Sequence, residues 1–74
     1  MRKFLKKVAD KYGFKITEFL SYRSDMGTQC IKVSANGPNQ QVVSFYDGYW
    51  IGSDDSRQFL IKEFEKALNL YPTL

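Results

Sequence analysis

A single cysteine, Cys30, restricts this 74-residue chain more than any other feature, because no internal disulfide can form. A chain this short stands near the lower limit for a core without staples, so apolar patterning has to do the folding. Hydrophobic residues at 43% and aromatics at 16% supply that core and argue against disorder. Secreted domains of this size are ordinarily disulfide-rich, so one cysteine favours a reducing, cytoplasmic setting. No apolar run approaches the roughly 18 residues of a membrane span. The N-terminal MRKFLKKVADKYG is broken by lysines and reads as part of the fold rather than as a signal segment. One domain over residues 1–74 is expected.

The apolar periodicity changes along the chain. Phe4, Leu5, Val8, Ala9 and Tyr12 make one stripe of a helix over about residues 2–12, with Gly13 placed to end it. FKITEFLSYR then alternates, with Phe14, Ile16, Leu20 and Tyr22 on the inward face and Phe19 on the other. After a turn at Ser24–Gly27, a second strand runs from Thr28 to Ala35 with Ile31, Val33 and Ala35 inward. Asn36-Gly37-Pro38-Asn39 is turn chemistry, and Gln41 to Tyr46 is a third strand. Asp47-Gly48 signals a two-residue hairpin, which makes Tyr49–Ile51 a short fourth strand. Asp55 with Gln58 fits a capping box for the last helix, with Ser53 or Asp54 as alternative caps. Leu60, Ile61, Phe64, Ala67, Leu68 and Tyr71 form its buried stripe, and Pro72 ends it. The reading is an α+β domain, α-β-β-β-(β)-α, with an antiparallel sheet and both helices on one face.

In the hairpin, Phe45 shares a face with Trp50 and Tyr46 shares the other with Tyr49. A five-residue loop at 36–40 sets Val33 opposite Val43 and Ile31 opposite Phe45, which buries Phe45 and Trp50. A four-residue loop buries the tyrosines instead. The first register is preferred because it keeps the tyrosine hydroxyls wet. It leaves Phe19, Tyr46 and Tyr49 on the helix-free face with Lys15, Arg23 and Lys32.

Catalytic chemistry finds little footing. The chain has no histidine, so the commonest general base and metal ligand is missing. Cys30, flanked by Gln29 and Ile31, reads as a structural thiol, and Asp54-Asp55 as helix-start residues with too few neighbouring oxygens for a cation. No glycine-rich phosphate loop appears. The expectation is a protein that is not an enzyme and has neither cofactor nor metal.

Charge singles out one end. Residues 1–15 hold Arg2, Lys3, Lys6, Lys7, Lys11 and Lys15 against Asp10 alone, a local charge of +5, and the rest carries five basic and seven acidic residues. Any electrostatic partner is expected at this basic helix, either phosphates or an acidic protein groove. With few arginines, base-specific DNA reading is disfavoured.

The element order is also that of the double-stranded-RNA-binding domain. Here, however, Gly37-Pro38 is followed by Asn39-Gln40 after the second strand, and the last helix opens with Asp54-Asp55-Ser56-Arg57. From Arg2 to Tyr71 the layout resembles small phage-encoded inhibitor proteins, including some anti-CRISPR proteins, in size and element order. That resemblance implies stoichiometric binding to a protein such as a nucleic-acid enzyme; the register and charge pattern point to Tyr46, Tyr49, Phe19, Arg23 and Lys32 as the binding residues, with the basic helix assisting. The alternative expectation is non-specific nucleic-acid binding through the basic helix and exposed tyrosines. A homodimer through the sheet face or an edge strand fits either.

Overall fold

The computed structural model describes residues 1–69; Tyr71 and Pro72, assigned above to the end of the last helix, lie outside the described residues. The chain runs α1 (Arg2–Lys11), β1 (Lys15–Arg23), β2 (Thr28–Asn36), β3 (Val42–Trp50) and α2 (Asp54–Asn69). The strands form one antiparallel sheet in the order β1-β2-β3. This is the small α+β domain that the periodicities indicate.

The end of α1 and the start of α2 follow from local capping residues. Leu5 and Ala9 are buried on the inner stripe of α1, and the helix stops in a Schellman turn. Gly13 at φ +77° sends its N–H to the Asp10 carbonyl at 3.2 Å, and Phe14 sends its own to Ala9 at 2.8 Å. Phe4 departs from the expected stripe; it is exposed, with the Arg57 guanidinium 5.7 Å above its ring. For α2 the cap is Ser53, whose hydroxyl accepts the Ser56 N–H, so Asp54 and Asp55 occupy the first turn, where carboxylates favour the helix dipole.

The core is one cluster. Ile31, Val33 and Ala35 of β2 and Val43 and Phe45 of β3 share a sheet face and pack with Leu5, Ala9, Phe14, Leu60, Phe64 and Leu68. Phe45 meets Phe64 edge-on, with ring centroids 5.3 Å apart at 67°. Both helices draw their buried residues from this cluster, which leaves the other sheet face bare.

Two features reassign side chains. First, Asp47-Gly48 makes no hairpin: β3 continues through both residues to Trp50, paired with β2 all the way, and there is no fourth strand among the described residues. A type I′ turn needs positive φ at both central residues, and Gly48 is outside that region. Its lack of a side chain serves close packing, since a methyl group there would stand 2.9 Å from the Thr28 Cγ2 and 3.3 Å from the Gln29 carbonyl. Continuity places Tyr49 on the helix side with Phe45 and puts Trp50 outside with Tyr46. Second, β1 carries a bulge between Ile16 and Glu18. Ile16 and Phe19 therefore both face the helices, and Leu20 and Tyr22, expected inside, face solvent.

The loop between β2 and β3 has the expected five residues, moved one position along to Gly37–Gln41. Val33 consequently faces Phe45, and Ile31 faces Asp47. A two-residue shift of register keeps the parity, so Phe45 is still inside. Gly37 closes the loop by donating to the Gln41 carbonyl at 2.8 Å, and any Cβ there would strike the Phe14 ring at 2.8 Å and the Gln41 Oε1. Because Phe14 is a buried core residue, Gly37→Ala is expected to cost about 1–3 kcal/mol by overpacking, read as a lowered urea midpoint at unchanged slope.

Candidate interaction face

The bare side of the sheet is built from alternate residues. Across the three strands its rows read Tyr22, Cys30 and Gly48; then Leu20, Lys32 and Tyr46; then Glu18, Ser34 and Ser44. Thr28 and Trp50 close one end, and Lys15, Asn36 and Val42 the other. Leu20, Tyr22, Val42, Tyr46 and Trp50 each expose between 51% and 66% of their surface. Strand geometry sets Tyr46 and Trp50 about 13 Å apart with Gly48 midway, and the Thr28 methyl and Cys30 stand beside the glycine between them. Cys30 is half-buried there as a free thiol.

The charges at the centre of this face cancel. Lys32 Nζ lies 3.5 Å from the Glu18 carboxylate and 5.6 Å from the centre of the Tyr46 ring. Its pKa is held above the ordinary lysine value, first by its hydrogen bond with Tyr46 and then by Glu18. The ammonium is thus committed to its neighbours, and the aromatic surface around it is close to neutral.

Of the residues picked from sequence, Tyr46, Lys32 and, at one end, Lys15 stand on this face. Tyr49 and Phe19 do not; both are half-buried on the helix side and pack against the core. Tyr49 borders a small cleft with Gly52, Ser53, Asp54 and Arg57 at the start of α2. Arg23 sits at the exposed end of β1, in the helix-side row opposite Gln29. Trp50, Tyr22 and Leu20 were missed, because the hairpin and an unbroken β1 alternation both assigned them to the interior.

Arg2, Lys3, Lys6, Lys7 and Lys11 are all exposed on α1. Lys6 pairs with Asp10 at 3.2 Å and Lys11 with Glu65 at 3.7 Å, and no carboxylate partners Arg2, Lys3 or Lys7 among the described residues. Arg2, Lys6 and Lys15 line a shallow cleft with Asp10 and Ile16. Leu5 and Ala9 bury the opposite side of α1 in the core, and Lys15, at one end of the open face, links that face to the basic cleft of α1.

Among the described residues, no three His, Cys, Asp or Glu side chains converge as metal ligands, and no helix is long and apolar enough to cross a membrane. No protein-family model, curated protein or solved structure matches the chain.

Proposed function

We propose that this protein is a non-catalytic interaction module that binds a protein partner through the open sheet face. The observation that carries this reading is the cluster of Tyr22, Tyr46, Trp50 and Leu20, exposed together around a neutralised Lys32–Glu18 pair. Rigid aromatic side chains are the usual anchors of protein interfaces, and the pairing of Lys32 with Glu18 among them suits a protein surface better than a phosphate chain. In its most concrete form, given the size and element order shared with small phage-encoded inhibitors, the protein occludes a nucleic-acid enzyme in the cytoplasm.

A second reading has its own support. Arg2 and Lys3 occupy the first turn of α1, where the helix dipole disfavours cations and no acidic residue compensates. Such a placement serves attraction to an anion rather than helix stability, and non-specific contact with nucleic-acid phosphates fits it. Stacking on Tyr46 would require the strand to pass around the sheet edge.

The test compares baits. Immobilised wild-type protein is expected to retain a partner from the native host's extract, and a Tyr46→Ala/Trp50→Ala double variant with unchanged circular dichroism is expected to lose it. Retention of the same partner by both baits refutes binding through this face. If α1 binds nucleic acid, a gel shift appears at roughly 50 mM salt and collapses by roughly 200 mM; no shift at low salt removes that reading.

A further inference from the structure

The two outer edges of the sheet are finished differently. On β3, whose register with β2 directs the N–H groups of even-numbered residues outward, two of those donors are occupied: Gly48 N–H bonds the Asp47 carboxylate at 2.7 Å, and Trp50 N–H bonds the Ser56 hydroxyl at 3.0 Å. On β1 the Ser24 N–H bonds the Thr28 carbonyl at 2.8 Å, and alternation from there turns the backbone groups of Phe19, Ser21 and Arg23 away from β2. No side chain caps their N–H groups among the described residues. The bulge and the charges of Lys15 and Glu18 blunt the first half of this edge, and the second half carries one charge, Arg23, at its end. Phe19-Leu20-Ser21-Tyr22 has no charge, proline or bulge, and it bears apolar side chains on both faces. Ile16 and Phe19 stay half-buried, whereas the inward apolar residues of β2 and of β3 up to Phe45 are sealed.

We infer that this edge pairs with the same edge of a second copy, antiparallel about a two-fold axis at Ser21, to make a continuous six-stranded sheet. The register follows from which groups point outward. Ser21 meets its own counterpart, and Phe19 meets the partner's Arg23, each pair exchanging both backbone hydrogen bonds. On the open face Leu20 then lies opposite the partner's Tyr22, and on the helix face the guanidinium of Arg23 reaches the Phe19 ring, a cation–π pair. No like charges oppose each other in this register, whereas pairing centred on Phe19 would set Lys15 against Arg23. The arrangement is self-complementary, as a two-fold interface requires. It also joins two open faces into one, so the dimer offers a partner double the aromatic surface.

Analytical ultracentrifugation of the whole chain tests the inference. The wild type is expected to sediment at twice 8.6 kDa at sub-millimolar concentration. Ser21→Pro removes an outward N–H, along with the hydroxyl that accepts from the exposed Gln29 amide, and proline is tolerated in an edge strand, so it should weaken the dimer roughly tenfold or more at unchanged circular dichroism. Ser21→Lys leaves the backbone intact and places two ammonium groups across the axis; it should have the same effect, and it decides the matter if the proline variant does not fold. A monomeric wild type overturns the proposal. So does a dimer that survives both substitutions, or one that Trp50→Ala dissociates, since that would be stacking of the open faces. The test is independent of the partner reading: Ser21→Lys leaves Tyr46 and Trp50 in place, and Trp50→Ala leaves the β1 edge in place.

Discussion

Phe64→Ala is expected to remove a large share of the protein's stability. Phe64 is completely buried and is among the largest side chains in the core, and its ring stands edge-on to Phe45, tying α2 to β3. Truncating a buried phenylalanine costs about 3–5 kcal/mol in lost burial and residual cavity. Loss of the aromatic pair contributes to that figure, at about 0.5–1.5 kcal/mol. Native domains hold roughly 0.05–0.15 kcal/mol per residue, so a chain of this length has on the order of 4–11 kcal/mol in total. One substitution therefore consumes between about a quarter and all of it. For a domain this small, each 1 kcal/mol moves the melting temperature by about 4–8 °C, which predicts a fall of at least about 12 °C in a thermal melt followed by circular dichroism. A melt within about 4 °C of wild type would mean that Phe64 is not the centre of the core.

Phe64 was legible from sequence because several signals agreed on it. The Leu60, Phe64 and Leu68 spacing, the acidic first turn and the long interval without glycine or proline all specify one helix face. The Schellman turn at Gly13 and the turn at Gly27 were equally plain, since positive φ at +77° and +80° is what glycine permits at those places. Gly48 misled because glycine has a second use. In Asp47-Gly48 the motif pointed to a turn, but Gly48 answers to the Thr28 methyl and the Gln29 carbonyl across the ladder, and that demand becomes visible only once β2 is in place. A nine-residue β2 with both edges to fill also favours a β3 of equal length over a hairpin whose last strand has three residues.

The bulge in β1 was hidden for a different reason. Apolar residues at 16, 19, 20 and 22 populate both faces of that strand, so alternation alone cannot say which of them is inside. Inserting one residue near Thr17 turns Phe19 inward and sends Leu20 and Tyr22 out. The Thr17 hydroxyl bonds the Ser34 carbonyl at 3.3 Å beside the irregularity, a contact no sequence pattern announces. Both misreadings fall on the open face. Consequently the buried residues were all named from sequence, though with Phe4, Leu20, Tyr22 and Trp50 added to them, whereas the candidate site was recovered through Tyr46, Lys32 and Lys15.

Trp50→Ala separates the two geometries directly. Had Trp50 turned inward beside Phe45 through a hairpin, its truncation would cost several kcal/mol of stability, like that of Phe64. On the continuous strand it is 57% exposed, and its backbone bond to Ser56 does not depend on the indole, so the melting temperature should stay within the small range of surface substitutions. Binding should respond in the opposite way. A tryptophan presents up to about 250 Å², so covering its free portion removes on the order of 140 Å² from water, an upper bound of about 3.5 kcal/mol at about 25 cal/mol per Å². Partner affinity is accordingly expected to fall by at least about thirtyfold, a 2 kcal/mol loss, chiefly through faster dissociation. Surface plasmon resonance with the retained partner, beside a thermal melt of the same variant, reads both quantities. Unfolding would return Trp50 to the core; unchanged affinity with an intact fold would move the binding site off the open face.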